Sequence, residues 1–279
     1  MKVAILYDFD KTLSTSDMQN FDFISNLNLS ENEFWGETGK LTNDEAADKI
    51  LAYMYMMIKK CKENNIALTH EYLTSCGKSV CLLPGVKDWF IRINQFAFNL
   101  GIELEHYIIS SGISEIIEGT DIYKYFKAVF GCSYIYENGI AVWPKTAINY
   151  TQKTQYIFRI AKGTLDIRDD EAVNKKTKDF NINYSNMIYI GDGITDVPSM
   201  TVLKQNGGHS IAVYKDKKDV AKKLINDDRV DVVCEANYTE GSILEETIKL
   251  MIANMALKEK LKNKELKALK EFLGDNLWK

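Results

Sequence analysis

The chain has 279 residues, of which 46% are hydrophobic and 27% are charged, and its net charge is -4 at pH 7. This composition excludes a mainly disordered or collagen-like chain, and the length allows one large domain or two modest ones. The slightly negative charge gives no general attraction to nucleic acid or to an acidic membrane surface, so we expect neither as a partner.

The five cysteines are odd in number and scattered, without a Cys-x-x-Cys pair or a histidine at zinc-ligand spacing. This pattern predicts reduced thiols instead of disulfides or a zinc site. No segment approaches the ~20 apolar residues of a membrane span, and the first apolar run is too short for the core of a signal peptide. The sequence therefore predicts a cytoplasmic protein.

The chain begins with an apolar strand that ends in two carboxylates. Residues 3–7 are apolar on both strand faces, which is typical of a central parallel strand, and Asp8 and Asp10 follow it. Buried carboxylates are costly to desolvate unless a cation or a phosphate-handling site accounts for them. A plain turn capped by aspartate and threonine is the alternative.

Residues 14–83 are predicted to form a series of helices. Ser30 starts one helix with a pattern close to a capping box, and residues 45–62 carry a long apolar stripe. A helical block of this length that interrupts a pattern of strands indicates an inserted cap domain.

Strands and helices alternate after Pro84-Gly85. The expected strands are residues 106–109, 128–132, 186–190, 210–214 and 230–234, with a hairpin over 134–143 and helices over 86–100, 113–118 and 215–226. Ser110 follows the first of these strands, and Asp192 and Asp196 follow the third. Lys153 lies in the first turn of a helix that opens near Thr151. This order predicts an α/β fold, a doubly wound parallel sheet with an inserted helical cap.

The carboxyl ends of parallel strands meet at one edge of a sheet, where ligands of such folds bind. Asp8, Asp10, Asp192 and Asp196 would therefore lie close together, and a hard cation such as Mg²⁺ is the simplest way to offset their repulsion. Lys153 and a serine facing the same cation indicate a bridging anion, and phosphate fits. For Lys153 alone, a solvated surface lysine is the alternative.

Four segments, in this order, resemble the motifs of the haloacid dehalogenase (HAD) superfamily, most of whose members are Mg-dependent phosphatases. They are Asp8-x-Asp10-x-Thr12, then Ser110-Ser111-Gly112 after an apolar strand, then Lys153, then Gly191-Asp192-Gly193-x-Thr195-Asp196. Each motif alone is weak, whereas their order and their positions at strand ends and helix starts form a strong signal. The resemblance covers residues 1 to about 214.

The resemblance implies catalytic and metal-binding roles. Asp8 would be the nucleophile that forms an aspartyl-phosphate, and Asp10 would protonate the leaving oxygen and then activate water. Mg²⁺ would be held by the Asp8 carboxylate, the Asp10 backbone carbonyl and Asp192, with Asp196 in support through water or as a further ligand. Dehalogenases of the superfamily lack the second carboxylate, because a halide needs no proton, so Asp10 indicates phosphoester chemistry.

The resemblance also implies a phosphate-binding set. Ser110 and Lys153 would bind the transferring phosphoryl oxygens, and Ser110 is preferred to Ser111, which lies one residue late in the family's pattern. Gly112 completes this segment. Thr12 would brace the first loop and donate to the phosphate.

The insert resembles the type 1 cap of the phosphoserine phosphatase-like branch. In phosphoserine phosphatases an acidic cap residue and an arginine hold the ammonium and carboxylate of the amino acid. Asp17 stands roughly where the acidic residue would be, but the first arginine of the chain is Arg92, beyond the insert. The sequence therefore disfavours phosphoserine, because no guanidinium in the cap can clamp a carboxylate.

The expected organisation is an α/β catalytic core (residues 1–13 and 84–240), a helical cap (14–83) and a lysine-rich C-terminal helical extension (241–279). The extension has one apolar face, and its charges are expected to form a solvated face, with a partner surface as the alternative.

The leading hypothesis is a Mg-dependent phosphomonoesterase that acts on a small phosphorylated metabolite. A phosphotransferase and a catalytically silent metal-binding protein on the same scaffold are the alternatives. Trp35, Tyr53 and Tyr55 are expected to pack in the core, although they could also stack on a base. Neither the substrate nor the oligomeric state follows from the sequence.

Overall fold

The computed structural model describes residues 1–215 and 218–273. Its strands are β1 (Lys2–Tyr7), β2 (Glu103–Ile113), β3 (Ala128–Glu137), β4 (Ile140–Thr146), β5 (Met187–Gly191), β6 (His209–Tyr214) and β7 (Val232–Glu235). They form one sheet in the order β4-β3-β2-β1-β5-β6-β7. All neighbouring pairs are parallel except β3 and β4, the predicted hairpin. The predicted doubly wound α/β fold is confirmed.

Helices flank the sheet and fill the segment between its first two strands. They are α1 (Asp22–Asn26), α2 (Glu31–Asp44), α3 (Lys49–Glu63), α4 (His70–Cys76), α5 (Val86–Asn99), α6 (Ser114–Glu118), α7 (Gln152–Lys162), α8 (Asp170–Asn174), α9 (Val197–Gln205), α10 (Lys218–Asn226) and α11 (Ile243–Leu273). The first five lie between β1 and β2, and the others alternate with the remaining strands or follow them.

Strand β1 lies at the centre of the sheet, between β2 and β5. All residues from Val3 to Tyr7 are fully buried, which agrees with a strand that is covered on both faces. The backbone N–H of Asp8 donates to the carbonyl of Ile190 over 2.9 Å, so pairing with β5 continues one residue beyond β1. This bond fixes the end of β1 next to the end of β5.

Strand β2 is longer than predicted. It continues through Ser110 to Ile113, which pairs with Cys132, and its register shifts between Ile109 and Ile113. Ser110, Ser111 and Gly112 therefore lie in an irregular strand end and not in a turn, and helix α6 begins only at Ser114. The predicted strand end was wrong because pairing with β3 resumes after the irregularity.

The insert contains one helix boundary that the sequence pattern misassigned. Helix α2 begins at the Ser30 capping box, as expected, but continues to Asp44. The helix predicted over residues 45–62 begins instead at Lys49. Ala46 has a positive φ of 48°, which interrupts the helical path, and the Asp48 carboxylate caps the new helix by accepting two backbone N–H bonds.

Hydrogen bonds connect the insert to the ends of β2, β3 and β4, among them those of Tyr53, Tyr134 and Ala141. The hydroxyl of Tyr53 donates to the carbonyl of Ser111 over 2.6 Å, and that of Tyr134 donates to the carbonyl of Met54 over 3.1 Å. The N–H of Ala141 donates to the carbonyl of residue 68 over 2.8 Å. The division into core, cap and extension stays a prediction, and we infer that residues 14–83 act as the cap.

Helix α11 packs on the core through its first half, where Leu244, Ile248 and Ile252 are buried. Arg92 of α5, the first arginine of the chain, donates to the fully buried Glu245 of this helix over 3.1 Å.

All five cysteines are free thiols, as predicted. In residues 1–215 and 218–273, no helix has both the length and the apolar character needed to cross a bilayer.

Candidate active site

The structure brings together side chains that follow β1 and β5. One carboxylate oxygen each of Asp8, Asp192 and Asp196 lies within 4.8 Å of the other two. A cavity of about 580 Å³ opens over this cluster and is also lined by Asp10 and Lys153. These residues therefore lie close together at the carboxyl ends of the parallel strands, as expected.

Lys153 is fully buried between two carboxylates. Its Nζ lies 2.8 Å from Oδ1 of Asp8 and 2.7 Å from Oδ1 of Asp196. Burial disfavours the charged ammonium, but the attraction of the two carboxylates outweighs this effect and raises the pKa of Lys153. The lysine is therefore a charged internal residue and not a solvated surface lysine.

Asp196 has a donor for each of its oxygens. Oδ1 accepts from Lys153 and from the hydroxyl of Tyr189, and Oδ2 accepts from the N–H of Gly193 over 3.2 Å. A Cβ at Gly191 would lie 2.5 Å from Oδ2 of Asp196, so only glycine allows this close approach. Within the described residues, Oδ2 accepts only one hydrogen bond, so one of its lone pairs stays available to a cation.

Asp8 and Asp192 lie in surroundings that resist their ionisation. Burial raises the pKa of Asp192 to about 8, and the charges of Asp8 and Asp196 add to this effect. Burial also raises the pKa of Asp8 to about 6, although Lys153 opposes the shift. Oxygen ligands crowded in this way are the donor set that a hard divalent cation prefers, so the residues fit such an ion.

Asp10 lies beside this cluster, at the junction of two cavities. Its Oδ1 accepts from the backbone N–H of Met18 over 2.8 Å. Burial raises the pKa of Asp10 well above its ordinary value, and the nearby charges of Asp17 and Asp8 raise it further. Its surroundings therefore favour the protonated form of the carboxyl group.

The two serines of the second motif have different surroundings. Ser110 is fully buried, its Oγ accepts from the N–H of Gly112 over 2.9 Å, and it does not line the cavity. Ser111 lines the cavity, and its buried Oγ has no hydrogen-bond partner among the described residues. A Cβ at Gly112 would lie 3.0 Å from Oδ2 of Asp10 and 2.1 Å from Met18, so glycine keeps this approach open.

Thr12 is fully buried, and its carbonyl accepts from the hydroxyl of Tyr238 over 2.8 Å. Its own hydroxyl has no partner within the described part of the chain and is not in the wall of the cavity. The bond from Tyr238 holds the backbone of the loop at Thr12, and the role of the threonine hydroxyl stays a prediction.

Two residues near the site were missed by the sequence analysis. Lys11 lines the cavity and its Nζ lies 2.5 Å from Oδ2 of Asp17. Its position between Asp10 and Thr12 of the first motif could have indicated that Lys11 lies near the site. Tyr189, whose hydroxyl donates to Asp196, could not be recognised as a site residue, because a tyrosine in a buried strand is usually a core residue.

No family model matches the chain. A protein from Borreliella burgdorferi, described as uncharacterized, is 28% identical over 270 residues, covering 87% of this chain and 93% of that protein. This similarity extends along most of both chains.

The fold is that of the HAD hydrolases. A HAD family hydrolase from Salmonella enterica serovar Typhi superposes with a TM-score of 0.58 and 18% identity, covering 84% of this chain and 68% of that one. A phosphoserine phosphatase in its apo form gives a TM-score of 0.57 and 18% identity over 89% and 98% of the two chains. A phospho-aspartyl intermediate analogue of phosphoserine phosphatase gives 0.53, also at 18% identity, over 89% and 98%.

Proposed function

We propose that this protein is a Mg²⁺-dependent phosphomonoesterase that hydrolyses a small phosphorylated metabolite through an aspartyl-phosphate on Asp8. The observation that carries this proposal is the fully buried Lys153, held between Asp8 and Asp196 beside Asp192. A lysine and several carboxylates that converge at a strand edge suit a phosphoryl group next to a cation. The similarity in fold to phosphoserine phosphatases supports this reading.

In the first step, one Asp8 oxygen attacks phosphorus while the bond from phosphorus to the ester oxygen breaks. Asp10 gives its proton to the leaving oxygen, which departs as an alcohol. Lys153 holds the nucleophile through its contact with Oδ1 of Asp8 and stabilises the charge on the phosphoryl oxygens. We propose Ser111, with its unpartnered hydroxyl, as the serine that donates to these oxygens, in place of Ser110.

In the second step, water attacks the aspartyl-phosphate and gives a proton to Asp10. The bond between phosphorus and the Asp8 oxygen breaks, so inorganic phosphate and both carboxyl groups are restored. Asp8, Asp192 and the Asp10 carbonyl would hold Mg²⁺, with Asp196 as a further or indirect ligand. The bound ion would supply positive charge against the phosphoryl oxygens.

Phosphate release from a panel of phosphomonoesters, measured with Mg²⁺ and with EDTA, tests the proposal. We expect Mg²⁺-dependent release from at least one ester, with p-nitrophenyl phosphate as the general substrate. Capture of phosphate on added alcohols would favour the phosphotransferase alternative. If no ester is turned over while Mg²⁺ still raises the thermal midpoint, the catalytically silent metal-binding alternative holds.

Ser111→Ala should mainly lower activity, whereas Ser110→Ala should mainly lower stability. Ser111→Ala should lower kcat/KM about 10²-fold because an oxygen-binding donor is lost, with little change in stability. Ser110→Ala should keep most activity but cost about 1 kcal/mol, because the N–H of Gly112 loses its acceptor. Steady-state kinetics and urea unfolding of both variants measure the two effects, and the reverse pattern would return the role to Ser110.

Asp10→Asn should separate the two chemical steps. With p-nitrophenyl phosphate, whose leaving group needs no proton, we expect a burst of p-nitrophenolate followed by turnover slowed about 10²-fold or more, because the second step lacks its base. With alkyl phosphates the burst itself should disappear. Rapid-quench kinetics on both esters provides the measurement. Equal losses in the burst rate for both esters would contradict the role of Asp10 as general acid.

The apparent affinity for Mg²⁺ should rise with pH. The pKa values of about 6 for Asp8 and about 8 for Asp192 lie above the ordinary value of 3.8, so the metal-free folded state holds more protons than the unfolded state between about pH 4 and 8. The metal-free fold therefore loses stability as the pH rises through this window and the two carboxyl groups release their protons. Protons compete with the cation, and binding should therefore strengthen from about pH 6 to 8 and then level off. Thermal midpoints with Mg²⁺ and with EDTA measure this rise in affinity. Asp192→Asn should abolish the part of the rise that lies close to pH 8.

The substrate is expected to be a small molecule, and phosphoserine remains disfavoured because Arg92 contacts Glu245 of α11. A cytoplasmic location stays a prediction from the composition and the reduced cysteines.

A further inference from the structure

A second cavity of about 460 Å³ lies between the helices of the insert and the active site. It shares Asp10, Asp17 and Ser111 with the larger cavity over Asp8. Its volume lies in the range of small-molecule sites. An ester whose phosphate lies at Asp8 would therefore extend its alcohol portion past Asp10 into this cap cavity.

The charges of the cap cavity do not suit a second anionic group. Asp17 is already paired with Lys11 over 2.5 Å. Lys49 is the one cation among the described lining residues, and it is exposed at the start of α3. A carboxylate on the substrate would meet Asp10 and Asp17 without a buried guanidinium or ammonium to offset its desolvation. The cavity therefore favours an uncharged group.

Two aromatic rings form a corner of this cavity. The centroids of Trp35 and Tyr53 lie 6.1 Å apart, and the ring planes make an angle of 66°. The indole N–H of Trp35 donates to Oδ1 of Asn20 over 2.7 Å, and the hydroxyl of Tyr53 donates to Ser111. Because the polar ends of both rings are engaged elsewhere, the rings offer a ligand mainly apolar surface. A flat group can pack there.

Gln19 provides a free hydrogen-bonding group in the same cavity. It is only 2% exposed and lines the cavity, and its side-chain amide makes no hydrogen bond within residues 1–215 and 218–273. The neighbouring hydroxyls of Thr38 and Thr42 are used for carbonyls of their own helix. The side-chain amide of Gln19 offers one acceptor and two donors to a group in the cavity. This amide therefore suits a neutral ligand edge that both donates and accepts.

We propose that the cap cavity binds the nucleoside portion of a nucleoside 5′-monophosphate, with the base against Trp35 and Tyr53 and its edge on Gln19. A nucleobase is flat, uncharged and carries donors and acceptors on one edge, which matches these three features. A sugar phosphate lacks the flat face, and phosphoserine carries the disfavoured carboxylate. The inference rests on the proposed phosphatase activity.

The first test compares kcat/KM for nucleoside 5′-monophosphates with that for ribose 5-phosphate, phosphoserine and pyridoxal 5′-phosphate. At least one nucleotide should exceed ribose 5-phosphate about tenfold or more, since stacking of a base on an aromatic ring is worth about that factor. Equal values for nucleotides and ribose 5-phosphate would overturn the inference, as would a preference for phosphoserine or pyridoxal 5′-phosphate. Asp8-dependent hydrolysis of p-nitrophenyl phosphate in the same assay would leave the phosphatase proposal intact.

The second test uses variants of the cavity wall. Gln19→Leu and Trp35→Leu should lower kcat/KM for the preferred nucleotide about tenfold and leave ribose 5-phosphate, which has no flat ring to pack on this wall, nearly unchanged. Tyr55→Leu is the matched control, because Tyr55 lies on α3 near Tyr53 but is 54% exposed. Equal losses on both esters, or no loss on the nucleotide, would overturn the assignment.

A binding measurement removes the dependence on turnover. The catalytically inert Asp8→Asn protein should bind the free nucleoside with a change in tryptophan fluorescence, and Gln19→Leu in that background should weaken binding. If the nucleoside does not bind while Mg²⁺ and inorganic phosphate do, the inference fails although the active site is intact.

Discussion

Lys153→Met should lower the free energy of unfolding of the metal-free protein by about 3 to 5 kcal/mol and reduce activity about 10³-fold. The substitution leaves Asp8 and Asp196 buried without the ammonium that joins them, and breaking a buried ion pair in this way is strongly destabilising. The activity falls because the same ammonium orients the nucleophile and would bind the phosphoryl oxygens. Urea unfolding in EDTA and steady-state kinetics measure both effects.

Gln155→Met is a suitable control for this variant, because residue 155 lies on the same helix but is exposed. It should change neither quantity appreciably. Mg²⁺ should partly restore the stability of Lys153→Met by supplying positive charge to the same carboxylates. A Lys153→Met protein as stable as the parent in EDTA would contradict the view that this lysine neutralises the carboxylate cluster.

Asp8→Asn should reduce phosphatase activity at least about 10⁴-fold while the fold remains stable. An amide cannot form the phosphorylated intermediate. Stability should change by no more than about 1 kcal/mol in the absence of metal, because the pKa of Asp8 is raised to about 6 and its charged form is already disfavoured. Activity assays, acid-quench detection of labelled protein and thermal unfolding are the measurements.

The comparison with Asp88→Asn, at an exposed position of α5, controls for loss of an aspartate as such. That variant should retain full activity. Stoichiometric labelling of the Asp8→Asn protein by phosphate from the substrate would assign the nucleophile to another residue. Substitutions at two residues whose side chains lie 2.8 Å apart should therefore both remove most of the activity, but only Lys153→Met should lower stability strongly.

The sheet and the meeting of the acidic residues could be predicted because they follow from local pattern and chain order. Asp8 and Asp192 come directly after apolar strands, and parallel strands end at one edge. Lys153 was predicted from its place in the first turn of a helix. Its complete burial was not, because burial depends on packing from β1 and β5 that no local window contains.

The choice between Ser110 and Ser111 could not be made from the sequence. Side chains alternate between faces along a regular strand, but the register of β2 shifts after Ile109 and changes which serine faces the cavity. The start of α3 was misassigned for a similar reason, since the positive φ of Ala46 depends on its tertiary context. The hydrogen bond of Tyr53 to Ser111 joins residues 58 positions apart and leaves no local signal.

The hydrogen bonds of Tyr53, Tyr134 and Ala141, which join the insert to the strand ends, bear on the timing of the reaction cycle. Helices α2 and α3 line the cap cavity, and a movement of the whole insert away from the strand ends would break the bonds of Tyr53, Tyr134 and Ala141. Opening would then be slow compared with a free hinge, and product escape could limit turnover. Good and poor leaving groups would in that case give similar kcat values, and each bound ester would be committed to cleavage before it could dissociate.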